Sequence, residues 1–158
     1  MKTLDFIKLD AAGAVKVVNG LQQLLADYQV FYTNLRGFHW NIKGSGFFTL
    51  HAKFEDMYDG AAEKVDELAE RILMLGGVPA HNFSEYLKTA KIKETAYVSN
   101  EGEIVKNILD TYAYLLSKER ELIEVAGEIS DEATVALLSD YISEQEKLVW
   151  MLVAYSTK

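Results

Sequence analysis

Residues 36–79 have the sequence RGFHWNIKGSGFFTLHAKFEDMYDGAAEKVDELAERILMLGGVP, and their central part, about 47–75, predicts one long helix. Two pairs of potential metal ligands lie on this helix at i, i+4 spacing: His51 with Glu55, and Asp66 with Glu70. The members of each pair therefore share a face, one turn apart. Glu55 and Asp66 differ by only about 20° around the axis but lie roughly 16 Å apart along it. One metal ion therefore cannot contact both pairs of the same chain.

The four residues are arranged symmetrically about the point between residues 60 and 61. His51 and Glu70 are equally far from that point, and so are Glu55 and Asp66. A second copy of the helix, antiparallel and related by a two-fold axis there, would place each residue opposite its counterpart in the partner. The residues at the crossing are small enough for the helix axes to approach closely: Gly60, Ala61 and Ala62. The pattern predicts two identical metal sites, each split across a dimer interface.

His39 completes the predicted ligand set. Too many residues separate it from His51 for the two to be neighbours on one continuous helix. Residues 41–46, NIKGSG, contain two glycines that suit a turn. A chain reversal at this turn would bring His39, at the end of the preceding helix, back beside His51. Two imidazoles and three carboxylates form a mixed shell that suits iron, and also zinc, cobalt or manganese.

This arrangement resembles the Dps family of mini-ferritins. The matching motifs are His39-Trp40-Asn41, His51 with Glu55, Asp66 with Glu70-Arg71, and Leu75-Gly76-Gly77. The resemblance covers nearly the whole chain. It implies an intersubunit ferroxidase centre, with His39, His51 and Glu55 from one subunit and Asp66 and Glu70 from its two-fold mate. Glu55 departs from the family, where Asp is common, and this difference leaves the number of irons per site open.

The resemblance also implies an assembly and an activity. Twelve subunits would form a hollow shell with metal sites at its two-fold interfaces. The ferroxidase centres would oxidise iron(II), with hydrogen peroxide as the oxidant, and the shell would store ferric mineral and limit oxidative stress. Trp40, beside His39, is either a core residue or an electron donor to the site. Asp131 and Glu132 are either helix-capping acids or part of an acidic pore at a three-fold axis.

The rest of the chain predicts an all-α fold in a single domain, residues 1–158. With one proline and ten glycines, the composition favours long helices over a turn-rich β fold. Apolar periodicity and stop signals indicate four long helices, at about 11–38, 47–75, 100–126 and from 131 onwards, the last capped by Ser130. A short helix is expected near Ser84, in the connection between the second and third. The expected architecture is a ferritin-like four-helix bundle with this short extra helix. Its core should hold no metal, since Glu-x-x-His pairs are absent.

Composition and charge exclude several other functions. Because the chain has no cysteine, disulfides and thiolate metal sites are excluded. The net charge of −8 argues against DNA binding, and the only basic residues in the first ten, Lys2 and Lys8, are offset by two acids. No apolar run approaches the roughly 18 residues that span a membrane, and Met1–Asp10 lacks the apolar core of a signal peptide, so a cytoplasmic location is expected.

Two alternatives stay open at this point. The first is a protein that compacts DNA and binds iron incidentally. The second is a cage or dimer that holds structural zinc and has no catalytic turnover.

Overall fold

The computed structural model describes residues 2–157, which form six helices and no strand. The helices are α1 (Thr3–Ile7), α2 (Ala11–Asn41), α3 (Phe47–Met74), α4 (Phe83–Thr89), α5 (Glu101–Gly127) and α6 (Glu132–Ser156). The four long helices α2, α3, α5 and α6 form a bundle, and α4 lies in the connection between α3 and α5, packed against α2. The prediction of an all-α four-helix bundle with a short extra helix in the second-to-third connection is therefore confirmed. Met1 and Lys158, which the predicted domain includes, lie outside the described residues.

Helix α2 contributes most to the bundle core. Its apolar residues recur every three or four positions and face the other long helices, and α4 packs against α2 as well, so residues 24–28 are buried in succession. The large, fully buried side chains of the core include Leu21, Leu24, Leu25, Tyr28, Phe31, Leu35, Phe54, Leu68, Ile72, Ile104 and Ile108. Complete burial of one such side chain stabilises the fold by about 2 kcal/mol. This burial, and not helix propensity, holds the four helices together.

The helix ends differ from the sequence prediction at one important cap. Ser130 does not cap α6, because it adopts a left-handed conformation with φ of +55° in the turn that follows α5. The cap is Asp131, whose carboxylate accepts a hydrogen bond from the backbone N–H of Thr134 at 3.1 Å. Asp10 and Asn100 cap α2 and α5 in the same way. The short helix α1 was not predicted, because it buries no residue and so carries no apolar periodicity.

The connection between α3 and α5 is anchored to α2 by a buried carboxylate. Asp27 accepts hydrogen bonds from the backbone N–H groups of Lys91 at 2.6 Å and Ile92 at 3.0 Å. The hydroxyl of Tyr114 also donates to Asp27, at 2.9 Å. These bonds satisfy both the carboxylate and a backbone segment that has no helical partners of its own.

A second buried carboxylate, Glu119, lies inside the bundle. The hydroxyl of Tyr28 donates to it at 2.7 Å, and the amide Nε2 of Gln145 donates to both of its oxygens at 2.8 Å. Burial raises the pKa of Glu119 to about 7, although the hydrogen bonds from Gln145 and Tyr28 act in the opposite direction. The interior therefore contains an acid that the sequence analysis did not single out.

No helix within residues 2–157 is long and apolar enough to cross a membrane.

Candidate metal centre

The turn between α2 and α3 brings His39 and His51 into direct contact. Their rings stack with centroids 3.7 Å apart and planes inclined by 22°. Each ring also bonds to the backbone of the other residue: His39 Nδ1 lies 2.7 Å from the carbonyl oxygen of His51, and His51 Nδ1 lies 2.8 Å from that of His39. A carbonyl oxygen only accepts, so both Nδ1 atoms must carry the proton. In a neutral imidazole with this proton, Nε2 has a free lone pair, and this is the form in which histidine binds a metal.

Contacts with α5 and α6 hold this turn in place. The backbone N–H of Lys43 donates to the carbonyl oxygen of Ser99 at 3.0 Å, and that of Gly46 donates to the Glu101 carboxylate, also at 3.0 Å. The hydroxyl of Tyr155 donates to the same carboxylate at 3.2 Å. A Cβ atom at position 46 would clash with the Tyr155 hydroxyl and lie 2.5 Å from the Glu101 carboxylate, so a larger residue there would have to displace these two side-chain ends. Gly44, the other glycine of the turn, has a φ of +123°, which side-chain-bearing residues avoid.

Two aromatic rings enclose the histidine pair. Phe47 stacks on His51 with a centroid distance of 5.0 Å, and the rings of Tyr58 and His39 are nearly perpendicular, with centroids 5.4 Å apart. The Tyr58 hydroxyl also lies 3.4 Å from a carboxylate oxygen of Glu55. Desolvation, with the nearby Glu55 and Asp59 charges, raises the pKa of Tyr58. Sequence analysis missed Tyr58, although its positions three after Glu55 and seven after His51 place it on the same face.

The three candidate carboxylates are exposed on that face of α3. Glu55 contacts only the Tyr58 hydroxyl, and Asp66 and Glu70 make no side-chain hydrogen bond or ion pair with any residue from 2 to 157. Within the same residues, no group of three or more His, Asp or Glu side chains lies close enough to hold a metal ion. Within the described residues, one chain thus brings the two histidines together but brings none of the three carboxylates, Glu55, Asp66 or Glu70, close enough to complete a metal site with them.

The structure changes the prediction for the residues at the proposed crossing. Ala61 is only 4% exposed and packs in its own bundle core, so its placement in a dimer interface was wrong. The reason is angular, since residue 61 lies about 120° around the helix from Glu55. Ala62 and Asp59 are exposed and are equally far from the same midpoint.

The exposed face of α3 also carries two large apolar side chains near its ends. Phe48 is 86% exposed and Leu73 is 53% exposed. These two residues are again equally far from the point between residues 60 and 61. A two-fold axis at that point would therefore place each of them opposite the other in the partner chain.

Asp131 does not fit the predicted pore. Its side chain is buried, pairs with the guanidinium of Arg71 and accepts hydrogen bonds from the N–H and hydroxyl of Thr134. These contacts engage both carboxylate oxygens, so the capping interpretation holds and the pore interpretation is wrong for Asp131. Arg71 thereby ties the end of α3 to the start of α6. Glu132 is exposed, and its role in a pore stays a prediction.

Trp40 is not a core residue. Its side chain is 63% exposed, and the guanidinium of Arg36 lies over its ring at 4.7 Å. The core interpretation was therefore wrong, whereas its role as an electron donor stays a prediction.

Comparison with known proteins gives consistent matches. The model of the ferritin-like domain matches residues 18–158. A protein from Porphyromonas gingivalis named "DNA protection during starvation protein" is 54% identical over 157 residues, which are 99% of both chains. The crystal structure of a Vibrio cholerae O1 Dps protein, described as a member of a broad superfamily of ferritin-like diiron-carboxylate proteins, is 52% identical with a TM-score of 0.93, covering 96% of both chains. The Bacillus brevis Dps structure is 36% identical with a TM-score of 0.90, covering 92% of this chain and 98% of that one.

Proposed function

Because this chain belongs to the Dps family of ferritin-like proteins, we propose that it is a ferroxidase that oxidises iron(II) and stores ferric iron. Iron is the substrate and the stored cargo. The proposed oxidant is hydrogen peroxide, so the reaction would remove two reagents of oxidative damage together. The proposed assembly is the twelve-subunit hollow shell that the family resemblance implies.

The observation that carries this proposal is the orientation of the two histidines. Each imidazole donates its Nδ1 proton to the other residue's carbonyl oxygen, so both Nε2 atoms are available to a metal. The two rings also stack on each other with centroids 3.7 Å apart, and this contact fixes their relative orientation. A stacked pair that served packing alone would not need both tautomers fixed in the metal-binding form. Together with carboxylates, such nitrogen donors fit iron.

The exposed carboxylates support a site shared by two chains. Asp66 and Glu70 are the ionisable residues of the motif that their own chain leaves unengaged. Under the proposed two-fold arrangement, Glu55 would face Asp66 of the partner subunit and His51 would face Glu70 of the partner subunit. Phe48 and Leu73 would then cover each other's apolar surface at the two ends of the interface.

The residues have distinct roles in the proposed reaction. His39 and His51 bind iron through Nε2, as neutral donors held rigid by their backbone bonds. Glu55, with Asp66 and Glu70 of the partner subunit, supplies negative charge, which stabilises iron(III) relative to iron(II) and so favours oxidation. Phe47 covers the outer face of the His51 ring and shields that side of the pair.

Direct DNA binding is the second candidate, because relatives are named for DNA protection. The net charge of −8 and a sequence pI of about 4.9 oppose it, since phosphate contacts need clustered cationic side chains. We therefore propose that protection would come from removal of iron and peroxide. The expected result is no retardation of duplex DNA at neutral pH and moderate salt. A shift that weakens steeply as salt rises would favour the DNA-compacting alternative.

An anaerobic titration with iron(II), followed by peroxide, tests the proposed activity. Ferric absorbance should appear after peroxide, with light scattering reporting particle size. The combined variant His39→Ala with His51→Ala should lose tight binding and fast oxidation. His81→Ala is the matched control, because His81 is the remaining histidine, is exposed and lies in the loop before α4. If iron(II) binds without peroxide-dependent oxidation and zinc binds equally well, the site is a structural zinc site.

A further inference from the structure

The first turn of α3 has no capping side chain of its own. The other three long helices are capped by the side chains of Asp10, Asn100 and Asp131. The corresponding residue of α3 is Gly46, which has no side chain to offer. A carboxylate from α5 takes this role, because Glu101 accepts a hydrogen bond from the Gly46 backbone N–H at 3.0 Å. A negative charge at this end of a helix also interacts favourably with the helix dipole.

The end of α6 helps to hold that carboxylate in place. The Tyr155 hydroxyl donates to the same oxygen of Glu101, at 3.2 Å. There is little space around this oxygen, since a Cβ atom at position 46 would lie 2.5 Å from it and would also clash with the Tyr155 hydroxyl. Glu101 itself belongs to the first turn of α5. Three helices, α3, α5 and α6, therefore meet at one carboxylate oxygen.

The start of α3 also fixes both imidazoles of the candidate metal centre. His51 follows Phe47 by one helical turn, and the two rings stack. The His51 carbonyl oxygen accepts the Nδ1 proton of His39, and His51 Nδ1 donates to the His39 carbonyl oxygen. Both bonds depend on the position of the α3 backbone relative to the end of α2. A helix start that loses its cap frays, and fraying here would release the two Nδ1 protons from these acceptors.

We propose that Glu101 is a positioning residue of the metal centre, which caps α3 from α5 and so holds His39 and His51 in the tautomer that leaves Nε2 free for iron. Glu101 acts through the Gly46 N–H and not as a metal ligand. The position of its oxygen therefore matters to the site more than its negative charge. This inference rests on the proposed function, because it assigns Glu101 a role in iron binding at this centre.

Two substitutions separate the position of this oxygen from its charge. Glu101→Gln removes the charge but keeps a side-chain oxygen that can accept from the Gly46 N–H. Gly46→Ala keeps the charge, while its Cβ atom displaces the Glu101 carboxylate and the Tyr155 hydroxyl. The φ of Gly46 is −82°, which suits alanine, so this variant adds no backbone strain. Glu101→Gln should therefore resemble wild type, and Gly46→Ala should resemble Glu101→Ala.

Solid-state nuclear magnetic resonance on the assembled, metal-free protein reads the tautomers directly. The chain has only 3 histidines, so isotope labelling of histidine gives few ring-nitrogen signals. At about pH 8, where imidazole is neutral, His39 and His51 of wild type should each show a protonated Nδ1 and an unprotonated Nε2. Glu101→Ala and Gly46→Ala should show mixed tautomers instead. Anaerobic iron(II) titration of the same proteins should show a dissociation constant raised about 10-fold in these two variants.

Glu103→Ala is the matched control, because Glu103 is the other acid in the first turn of α5 and is exposed. Its side chain makes no hydrogen bond or ion pair with any residue from 2 to 157, so this variant should keep the wild-type tautomers and iron affinity.

Three results would overturn the role of Glu101. They are unchanged tautomers and iron affinity in Glu101→Ala, a loss in Glu101→Gln as large as in Glu101→Ala, and an equal loss in Glu103→Ala. If light scattering shows that Glu101→Ala does not assemble, Gly46→Ala decides in its place, and unchanged tautomers there overturn the role. If wild type binds no iron(II), the proposed function fails, whereas the tautomers of the metal-free variants still test the positioning.

Discussion

Carboxylates occupy two contrasting regions of this molecule, the bundle interior and the exposed face of α3. Inside, Glu119 is fully buried, and donors from Tyr28 and Gln145 surround it. On α3, Asp66 and Glu70 are exposed and have no partner among residues 2–157. An acid whose hydrogen-bonding capacity is met serves the fold. Acids left free on the face of α3 that carries His51, whose ring stacks on His39 of α2, are available for chemistry.

The largest expected effect comes from truncating the interior acid. Glu119→Ala leaves the Tyr28 hydroxyl and the Gln145 amide without their acceptor and opens a cavity. The free energy of unfolding should fall by about 4 kcal/mol. Glu70→Ala should change it by no more than about 0.5 kcal/mol, because no partner is lost. Chemical denaturation at fixed protein concentration measures the free energy of unfolding of both variants. Equal losses of stability would contradict the difference between the two regions.

The interior acid also predicts a pH dependence of stability. Burial raises the folded pKa of Glu119 to about 7 from an ordinary value of 4.5. Between these values the folded chain binds a proton that the unfolded chain does not, so stability falls as pH rises from 4.5 to 7 and is level above 7. The total fall should be about 3 kcal/mol. Glu119→Gln cannot titrate, so the difference between wild type and this variant isolates the effect. A difference that does not vary with pH would contradict the assignment.

The same chemical change in both regions should separate function from fold. Glu70→Gln removes a charged metal ligand, and iron affinity should fall at least about 100-fold, or about 2.7 kcal/mol. Glu119→Gln keeps an acceptor for Tyr28 and Gln145, so iron oxidation and stability at pH 7 should not decrease. Anaerobic titration with iron(II) measures the loss of affinity, and stopped-flow absorbance after peroxide addition measures iron oxidation in both variants. Comparable losses of oxidation in both variants would show that the interior acid participates in the reaction.

The smallest expected effect on stability comes from substitutions at two adjacent alanines, one in the core and one on the exposed face of α3. Ala61→Trp overpacks the core and should cost about 2 kcal/mol of stability. Ala62→Trp places the same ring on the exposed face at the proposed two-fold axis, so it should leave the chain folded but separate the copies. Thermal or chemical unfolding followed by circular dichroism measures the loss of stability, and light scattering measures the particle size. If Ala62→Trp leaves the particle size unchanged, the crossing does not lie at this point.

Local patterns explain which features could be predicted from the sequence. The four long helices follow from apolar periodicity, and α3 begins at Phe47 as expected. The meeting of His39 and His51 follows from two glycines in a short connection. These predictions succeed because they depend only on neighbours along the chain.

Features that depend on distant partners were missed. For Asp131 the sequence left helix capping and a pore both open, and it gave no sign of Arg71, 60 residues away, which pairs with this acid. Glu119 gave no signal, because its partners Tyr28 and Gln145 lie on two other helices. The inward orientation of Ala61, by contrast, follows from its angle to Glu55 and was open to prediction.

Complementation between two inactive variants tests the shared site most directly. One variant lacks His39 and His51, and the other lacks Asp66 and Glu70, so each homogeneous particle has only incomplete sites and should not oxidise iron rapidly. When the two are unfolded together and refolded, about half of the dimers are mixed, and each mixed dimer has one complete site. The expected activity is roughly a quarter of wild type, since one of two sites is restored in those dimers. No recovery, with mixed dimers demonstrated by native mass spectrometry, would contradict a metal site shared between two chains.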